Sequence, residues 1–209
     1  MRLRNVKGAK EKIESSNYII NDYKNYSGKF KNLFQNDNPL YVEIGMGKGD
    51  FIINMALSNP CINFIGIEKF DSVMVRAIEK LEDKSIPNLK LIKMDAEYIE
   101  DVFNHEIDKI FLNFSDPWPK ERHEKRRLTS SNFLKKYDSL FKGNKNILFK
   151  TDNRKLFEYS LISFTNYGYK INNLSLDLHS DNIDNIKTEY EIKFSNKGFV
   201  IYFIDVTKD

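Results

Sequence analysis

The sequence lacks several features that define large classes of protein. Its 209 residues include one cysteine, Cys61, so an internal disulfide is excluded and a reducing cytosol fits best. No apolar run approaches the roughly 18 residues that a spanning helix needs. The basic segment 1–12 is not followed by an apolar stretch and does not resemble a secretory signal. We expect a cytoplasmic protein with no membrane partner.

Histidine is also scarce, since the chain has only His105, His123 and His179. The three stand far apart in unlike settings, so they predict no metal site. The sequence also shows no pairing of Cys or Ser with His of the kind that covalent catalysis uses. Any chemistry is therefore expected to need neither a metal ion nor a protein nucleophile.

The composition is that of a globular chain whose charge is unevenly distributed. Hydrophobic residues make up 41%, charged residues 30%, and the net charge is only +3. We predict one domain over 27–209, preceded by a basic polar arm at 1–26 with little fixed structure in isolation. Basic residues gather again in KERHEKRR at 120–127. Two such stretches predict a polyanionic partner, although two solvated surface segments would give the same pattern.

Short apolar runs alternate with helical patterns along the chain. The runs that predict strands are 40–44, 63–67, 89–94, 107–114 and 146–150. Helical patterns lie near 49–58, 71–83, 96–103, 130–141 and 153–167. A last pair of strands, 170–178 and 199–206, predicts an antiparallel hairpin, with 179–198 as a long polar loop. The sequence therefore predicts an α/β, Rossmann-like protein with a mostly parallel seven-stranded sheet and helices on both faces.

The first predicted strand leads into a glycine-rich turn, EIGMGKG at 43–49. Gly45 and Gly47 let the backbone turn tightly and approach a ligand. Glu68 ends the second predicted strand, where an acid accepts the ribose hydroxyls of an adenosine. Glu43 precedes the turn, and a carboxylate there suits an ammonium group but repels a pyrophosphate. The pattern therefore favours S-adenosylmethionine over NAD as the cofactor.

Two further acids follow the next predicted strands. Asp95 is placed either to accept the adenine amino group or only to cap the following helix. Asp116 lies in SDPWPK at 115–120, where two prolines make a rigid loop at the ligand-binding edge of the sheet. It can accept two N–H groups, a pair that only guanine offers among the standard bases; a structural turn with a solvated Asp is the alternative. Guanine N7 has a free lone pair, so its methylation requires alignment rather than a base.

The basic run follows this loop directly. We therefore expect it to lie along an RNA backbone and to make binding sensitive to salt. Phosphate contacts would position the RNA, while Asp116 would select the base. The expected RNA contacts are Arg122, His123, Lys125, Arg126 and Arg127.

Together these motifs resemble the bacterial tRNA (guanine-N(7)-)-methyltransferases. The resemblance extends from Leu40 to Asp205 and rests on VEIGMGKG, GIEKF, NFSDPWPK with the trailing RHEKRR, KTDN at 150–153 and TEYE at 188–191. It implies a class I methyltransferase fold and methylation of the variable-loop guanine at position 46 of tRNA, with S-adenosylmethionine as donor. It also implies a monomer or a homodimer, since family members occur as both.

The resemblance also implies roles for individual residues. Asp116 is implied as the catalytic residue and as one of the cofactor-site acids. The implied cofactor contacts are Glu43, Gly45, Gly47, Glu68, Asp95 and Asp116. The implied substrate contacts are Lys120, Asp152, Thr188, Glu189, Tyr190 and Glu191. Without the family, TEYE would be interpreted only as an acidic segment of a long loop.

Two other functions are compatible with the sequence. A non-catalytic RNA-binding module with a vestigial cofactor pocket would bind tRNA without responding to the cofactor, but the acids at 43, 68 and 116 argue against it. An enzyme of the same fold acting on an exocyclic amino group or on a protein would be distinguished by the atom it methylates.

Overall fold

A computed structural model describes residues 6–209 of the chain. Its sheet has seven strands in the order β3-β2-β1-β4-β5-β7-β6. The strands are β1 (Leu40–Ile44), β2 (Asn63–Glu68), β3 (Leu89–Lys93), β4 (Ile107–Asn113), β5 (Phe141–Thr151), β6 (Lys170–Ser175) and β7 (Tyr202–Lys208). Strands β1 to β5 pair in parallel, whereas β7 is antiparallel to both β5 and β6. The predicted sheet with its C-terminal hairpin is confirmed.

Helices surround this sheet. The α-helices of the described residues are α1 (Ala9–Glu14), α2 (Phe30–Phe34), α3 (Asp50–Ser58), α4 (Asp71–Leu81), α5 (Ser131–Tyr137), α6 (Arg154–Asn166) and α7 (Glu189–Ser195). Short 3-10 turns are found at Tyr23–Tyr26, Ala96–Asp101 and Glu121–Arg126. In the part of the chain that the structure describes, no helix has both the length and the apolar character needed to cross a membrane.

Side chains alternate between the two faces of the sheet and so create two hydrophobic cores. In β2, Ile65 lies in one core and its neighbour Phe64 in the other. Helices α5 and α6 pack on the first core, to which they contribute Tyr137 and Phe157. Helices α3 and α4 pack on the second, to which α4 contributes Met74. The expected helices on both faces are confirmed, and they explain why the central strands are almost wholly apolar.

The N-terminal segment packs against the domain, so the expectation of an arm with little fixed structure does not describe residues 6–26. Helix α1 buries Ile13 in the core that α3 and α4 cover. Tyr18 and Ile20 then exchange backbone hydrogen bonds with Leu91 of β3 at 2.8 and 3.0 Å. The backbone of this segment thus pairs with the otherwise open edge of β3, while its few apolar side chains pack into the cores. Residues 1–5 of the predicted arm lie outside the described residues.

The segment 179–198 is not the uninterrupted polar loop that we expected, because it contains α7. Thr188 begins this helix with a capping box. Its hydroxyl accepts the N–H of Glu191 at 2.8 Å, and the Glu191 carboxylate accepts the N–H of Thr188 at 3.4 Å. The TEYE motif is therefore the start of a helix.

The parallel strands place their carboxyl ends at one edge of the sheet. From β1 the chain proceeds outward to β2 and β3 on one side and later to β4 and β5 on the other. The crevice beside such a reversal of strand order is where open α/β sheets bind ligands. The predicted acids 43, 68, 95 and 116 all lie at or just beyond this edge.

Gly66, in the middle of β2, allows close packing behind the site. A Cβ at this position would lie 2.4 Å from Met46 Sδ and 3.1 Å from Leu91 Cδ2. We predict that Gly66→Ala lowers the free energy of unfolding by about 1–3 kcal/mol through overpacking. Gly143→Ala is the control, since a Cβ there meets no described atom within 4 Å. Denaturant unfolding measures both variants, and equal stability of the two would contradict the packing argument.

Candidate active site

The glycine turn after β1 adopts a conformation that requires glycine. Gly45, Gly47 and Gly49 have φ values of 79°, 58° and 80°, which side-chain-bearing residues rarely adopt. A Cβ at Gly49 would also lie 2.9 Å from the Cβ of Ala77 in α4. At Gly45 and Gly47, in contrast, an added Cβ would meet no described atom within 4 Å. The backbone of the turn is therefore open to a ligand.

Glu43 is a buried acid with one unsatisfied oxygen. Its side chain is 1% exposed, and Oε1 accepts a hydrogen bond of 2.8 Å from Asn113 Nδ2. Oε2 has no hydrogen-bond partner among residues 6–209. Burial raises the pKa of Glu43 to about 7, although Asn113 and Lys150 act to lower it. An unpaired carboxylate oxygen is costly to bury, so this position favours a cationic ligand group.

Glu68 ties the end of β2 to the glycine turn. Its carboxylate accepts backbone N–H groups from Gly47 at 3.1 Å, Lys69 at 2.8 Å and Phe70 at 3.0 Å. Burial raises the pKa of Glu68, and these hydrogen bonds oppose the increase. Two carboxylate oxygens offer about four acceptor positions, so capacity remains for a ligand hydroxyl.

Asp95 is half-exposed beyond β3 and caps the 3-10 turn that follows. Its side chain accepts the N–H of Glu97 at 3.1 Å and lies 3.5 Å from Lys69 Nζ. The structure thus shows the capping role that the sequence left open, and a contact of Asp95 with adenine stays a prediction.

The loop that carries Asp116 is stiff and locally strained. Phe114 and Trp118 have positive φ values of 51° and 41°, unusual for residues with bulky side chains. Arg127 holds the loop by donating to the carbonyl oxygens of Pro117 and Trp118, both at 3.1 Å. Asp116 itself is exposed. The structure therefore presents its carboxylate to solvent on a fixed support.

The basic run forms a 3-10 turn beside this loop. Arg126 lies 5.0 Å from the Trp118 ring, and His123 contacts the same ring edge-on at 5.6 Å. Partial burial, with nearby Arg126 and Arg122, lowers the pKa of His123 and favours its neutral form. Lys120, Arg122, Lys125 and Arg126 are exposed, whereas Arg127 is half-buried against Tyr159. Arg127, predicted as an RNA contact, thus has a structural role that the sequence did not reveal.

A buried ion pair fixes the segment that precedes and begins α7. Lys150 at the end of β5 is 5% exposed, and its Nζ donates to Asn185 Oδ1 at 2.9 Å, to Ile186 O at 3.1 Å and to Glu191 Oε2 at 2.8 Å. Burial lowers the pKa of Lys150. Burial alone would raise the pKa of Glu191, but Lys150 and His179 lower it on balance. The lowered pKa of Glu191 favours its ionised form, and the distance of 2.8 Å between Lys150 Nζ and Glu191 Oε2 is that of an ion pair.

The other TEYE residues contact both sides of the crevice. Glu189 reaches the glycine turn, where its Oε1 lies 2.5 Å from Lys48 Nζ. Tyr190 donates its hydroxyl to Asp152 Oδ2 at 3.1 Å. Glu191 points inward and is fully buried, and Thr188 caps the helix. Of the predicted substrate contacts, only Lys120, Glu189 and Tyr190 are exposed, while Asp152 and Thr188 are partly buried.

Sequence reasoning missed the residues that hold these groups in place. Lys150 and Asn113 were not assigned any role, although both end apolar strands that are covered on both faces. A polar side chain at such a position needs a buried partner, and that signal could have identified both residues. Among the described residues, no group of three His, Cys, Asp or Glu side chains could hold a metal ion.

Comparison with known proteins agrees with this geometry. A family model described as "Putative methyltransferase" matches residues 37–204. The chain is 51% identical to the tRNA (guanine-N(7)-)-methyltransferase of Bacillus subtilis strain 168, over 99% of this chain and 98% of the relative. It is 50% identical to the protein of the same name in Bacillus licheniformis, over 98% of both chains.

Solved structures support the fold alone. "Structure of an Antibiotic Related Methyltransferase" superposes with a TM-score of 0.66 at 16% identity, covering 87% of this chain and 92% of that one. The 16S rRNA methyltransferase KamB gives 0.62 at 14% identity, covering 86% and 92%. The fold is therefore that of class I S-adenosylmethionine methyltransferases. With half of its residues identical to those relatives over nearly its whole length, the chain belongs to the tRNA (guanine-N(7)-)-methyltransferase family.

Proposed function

We propose that this chain transfers the methyl group of S-adenosyl-L-methionine to N7 of guanine in tRNA, at the variable-loop guanine that the family resemblance implies. One observation carries the proposal. Glu43, with its unpaired carboxylate oxygen, lies on β1 directly before the open glycine turn, and β1 pairs with β4, the strand that leads into the Asp116 loop. A carboxylate that can bind a cation and a carboxylate that can bind a nucleobase thus lie at or just beyond the ends of neighbouring strands, where the strand order reverses.

The residues present fit the proposed donor. Glu43 would accept its ammonium group, since that oxygen has no partner among residues 6–209. Glu68 would accept a ribose hydroxyl at its one remaining acceptor position. Gly45 and Gly47 would let the donor approach the backbone, and Asp95 would lie near the adenine. When bound, the donor supplies an electrophilic methyl group on a sulfonium.

The acceptor side requires positioning rather than proton removal. The exposed carboxylate of Asp116 would accept N1–H and the N2 amino group of guanine. Two contacts on one edge of the rigid purine would fix the direction in which its N7 points. Because N7 already has a lone pair, alignment of the base is the main contribution of the protein. Asp116 is therefore the proposed catalytic residue, with Lys120, Asp152, Glu189 and Tyr190 as proposed substrate contacts. Thr188 and Glu191, predicted as substrate contacts, instead cap α7 and pair with Lys150 inside the protein, respectively.

The exposed basic run would hold the RNA backbone beside Asp116. Lys120, Arg122, Lys125 and Arg126 are available for phosphates, which would orient the RNA without reading its sequence. His123 and Arg127 would contribute mainly through Trp118 and the loop. As part of the same proposal, the enzyme acts as a monomer or a homodimer in the cytoplasm, where tRNA is found.

Substitution of Asp116 tests this function directly. With unmodified tRNA and labelled S-adenosylmethionine, the unaltered enzyme should produce 7-methylguanosine on nucleoside analysis. We expect Asp116→Ala to lower kcat/KM by about a hundredfold or more, because the base loses its two-point contact, and to leave the far-UV spectrum unchanged because Asp116 is exposed. Asp37→Asn, at another exposed carboxylate, is the control. Full activity of Asp116→Ala, or methyl groups on an exocyclic amino group, would refute the proposal.

The raised pKa of Glu43 predicts a pH dependence of cofactor binding. Only the ionised carboxylate pairs with an ammonium, so with a pKa of about 7 the affinity should rise with pH up to about 7 and then level off. Below that pH the Kd should increase by up to about tenfold per unit. Glu43 is faced by Lys150 of β5, Glu68 of β2 and Asp50 of α3. Calorimetric titration from pH 5.5 to 7.5 measures the effect.

Glu43→Gln should bind the cofactor more weakly above pH 7 and should lose this dependence. Glu106→Gln is the matched control, since burial also raises the pKa of Glu106, but that residue precedes β4 at the opposite edge of the sheet. An unchanged pH dependence in Glu43→Gln would assign the titration to another group.

A further inference from the structure

A row of four aromatic rings extends outward from the proposed base site. It begins at Phe114, next to the Asp116 loop, and continues through Tyr190, Phe194 and Phe199. Successive ring centroids are 5.0, 4.1 and 5.4 Å apart. Tyr190 and Phe194 are stacked, with 19° between their planes. We call these four residues the aromatic row.

The outer part of the aromatic row is built by a turn after α7. Gly198 has φ 82°, and its turn returns the chain so that Phe199 donates its N–H to Phe194 O at 3.1 Å. This turn holds the Phe199 ring against Phe194 rather than in the core. A defined hydrogen bond and a glycine-dependent turn thus fix the position of a surface ring.

Two of the four rings in the aromatic row, Tyr190 and Phe199, are exposed. Tyr190 is 41% and Phe199 50% exposed, and the adjacent Val200 is 39% exposed. Single exposed apolar residues are ordinary, but a contiguous exposed patch that joins a site is typical of a binding surface. Lys193 and Lys197 flank the row, and neither has an ion-pair partner within the described residues. The surface therefore combines flat apolar rings with available positive charge.

We propose that the aromatic row is a stacking platform for unpaired nucleobases next to the target guanine. The inference rests on the proposed function and extends it from the reacting base to its neighbours in the RNA. Looped and single-stranded RNA is bound by stacking splayed bases on aromatic side chains while cations contact the backbone. The row meets both requirements, and Tyr190 connects it to the proposed base site through its hydrogen bond to Asp152.

Substitution of Phe199 tests the platform without altering the proposed catalytic groups. Loss of one base–aromatic stack corresponds to a decrease in affinity of about 5- to 150-fold. We expect Phe199→Leu to raise KM for tRNA by about fivefold or more, with kcat and the Kd for S-adenosylmethionine unchanged. Phe199→Trp, which restores an aromatic face, should recover the KM. Ile162→Ala, at a residue 59% exposed on α6, is the control for loss of surface apolar area.

A spectroscopic measurement separates stacking from a merely structural role. 2-Aminopurine placed beside the target guanine of a tRNA substrate should be quenched when the unaltered enzyme binds, and less so with Phe199→Leu. An active enzyme in which Phe199→Leu changes neither KM nor quenching would overturn the inference and leave the proposed function intact. A second outcome would also overturn the inference. If sedimentation shows a homodimer for the unaltered enzyme but not for Phe199→Leu, and quenching is unchanged, the aromatic row is a contact with a second copy of the chain. If the unaltered enzyme forms no 7-methylguanosine, the proposed function fails first.

Discussion

The buried ion pair between Lys150 and Glu191 is the interaction on which the site depends. The side chain of Lys150 holds the segment 185–191, and its carbonyl oxygen accepts the N–H of Phe114 at 2.8 Å, directly before the Asp116 loop. One residue of β5 therefore fixes both the loop that presents Asp116 and the helix that carries TEYE. A buried pair gains little over an apolar pair, but removing one partner costs about 3–5 kcal/mol because the other charge is left uncompensated. We infer that the pair specifies one arrangement of these segments.

Other polar contacts connect this unit to the cofactor side. Asn113, the register partner of Lys150 on β4, donates to Glu43, and Glu189 reaches Lys48 in the glycine turn. Side chains above the sheet, as well as the parallel strands of the sheet, thus connect the proposed cofactor side with the proposed base side. Methyl transfer to a nitrogen that already has a lone pair depends little on acid–base groups and mainly on the alignment of the two reactants. Contacts that hold both sides of the site in place before binding provide that alignment.

The strands and the glycine turn could be predicted because their signals are local. Apolar runs bounded by turn residues identified the strands, and the glycine spacing identified the turn that positive φ values require. Helix α7 was missed although Thr188 and Glu191 form a capping-box pattern, because the surrounding polar residues suggested a loop. The position of Lys150 in a covered strand indicates a buried partner, but the identity of that partner, Glu191, could not be predicted because the pair joins distant segments. For the same reason the packing of residues 6–26 on β3 was not evident from their charge.

A double-mutant cycle on Lys150→Met and Glu191→Gln tests most directly whether this ion pair organises the site. The quantity to measure is kcat/KM for tRNA in the unaltered enzyme, both single variants and the double variant. If the two residues act through each other, each single variant should lose activity, and the double variant should be no worse than the poorer single. If the two losses multiply instead, Glu191 and Lys150 act independently, and the account of a site held together by their pairing is wrong.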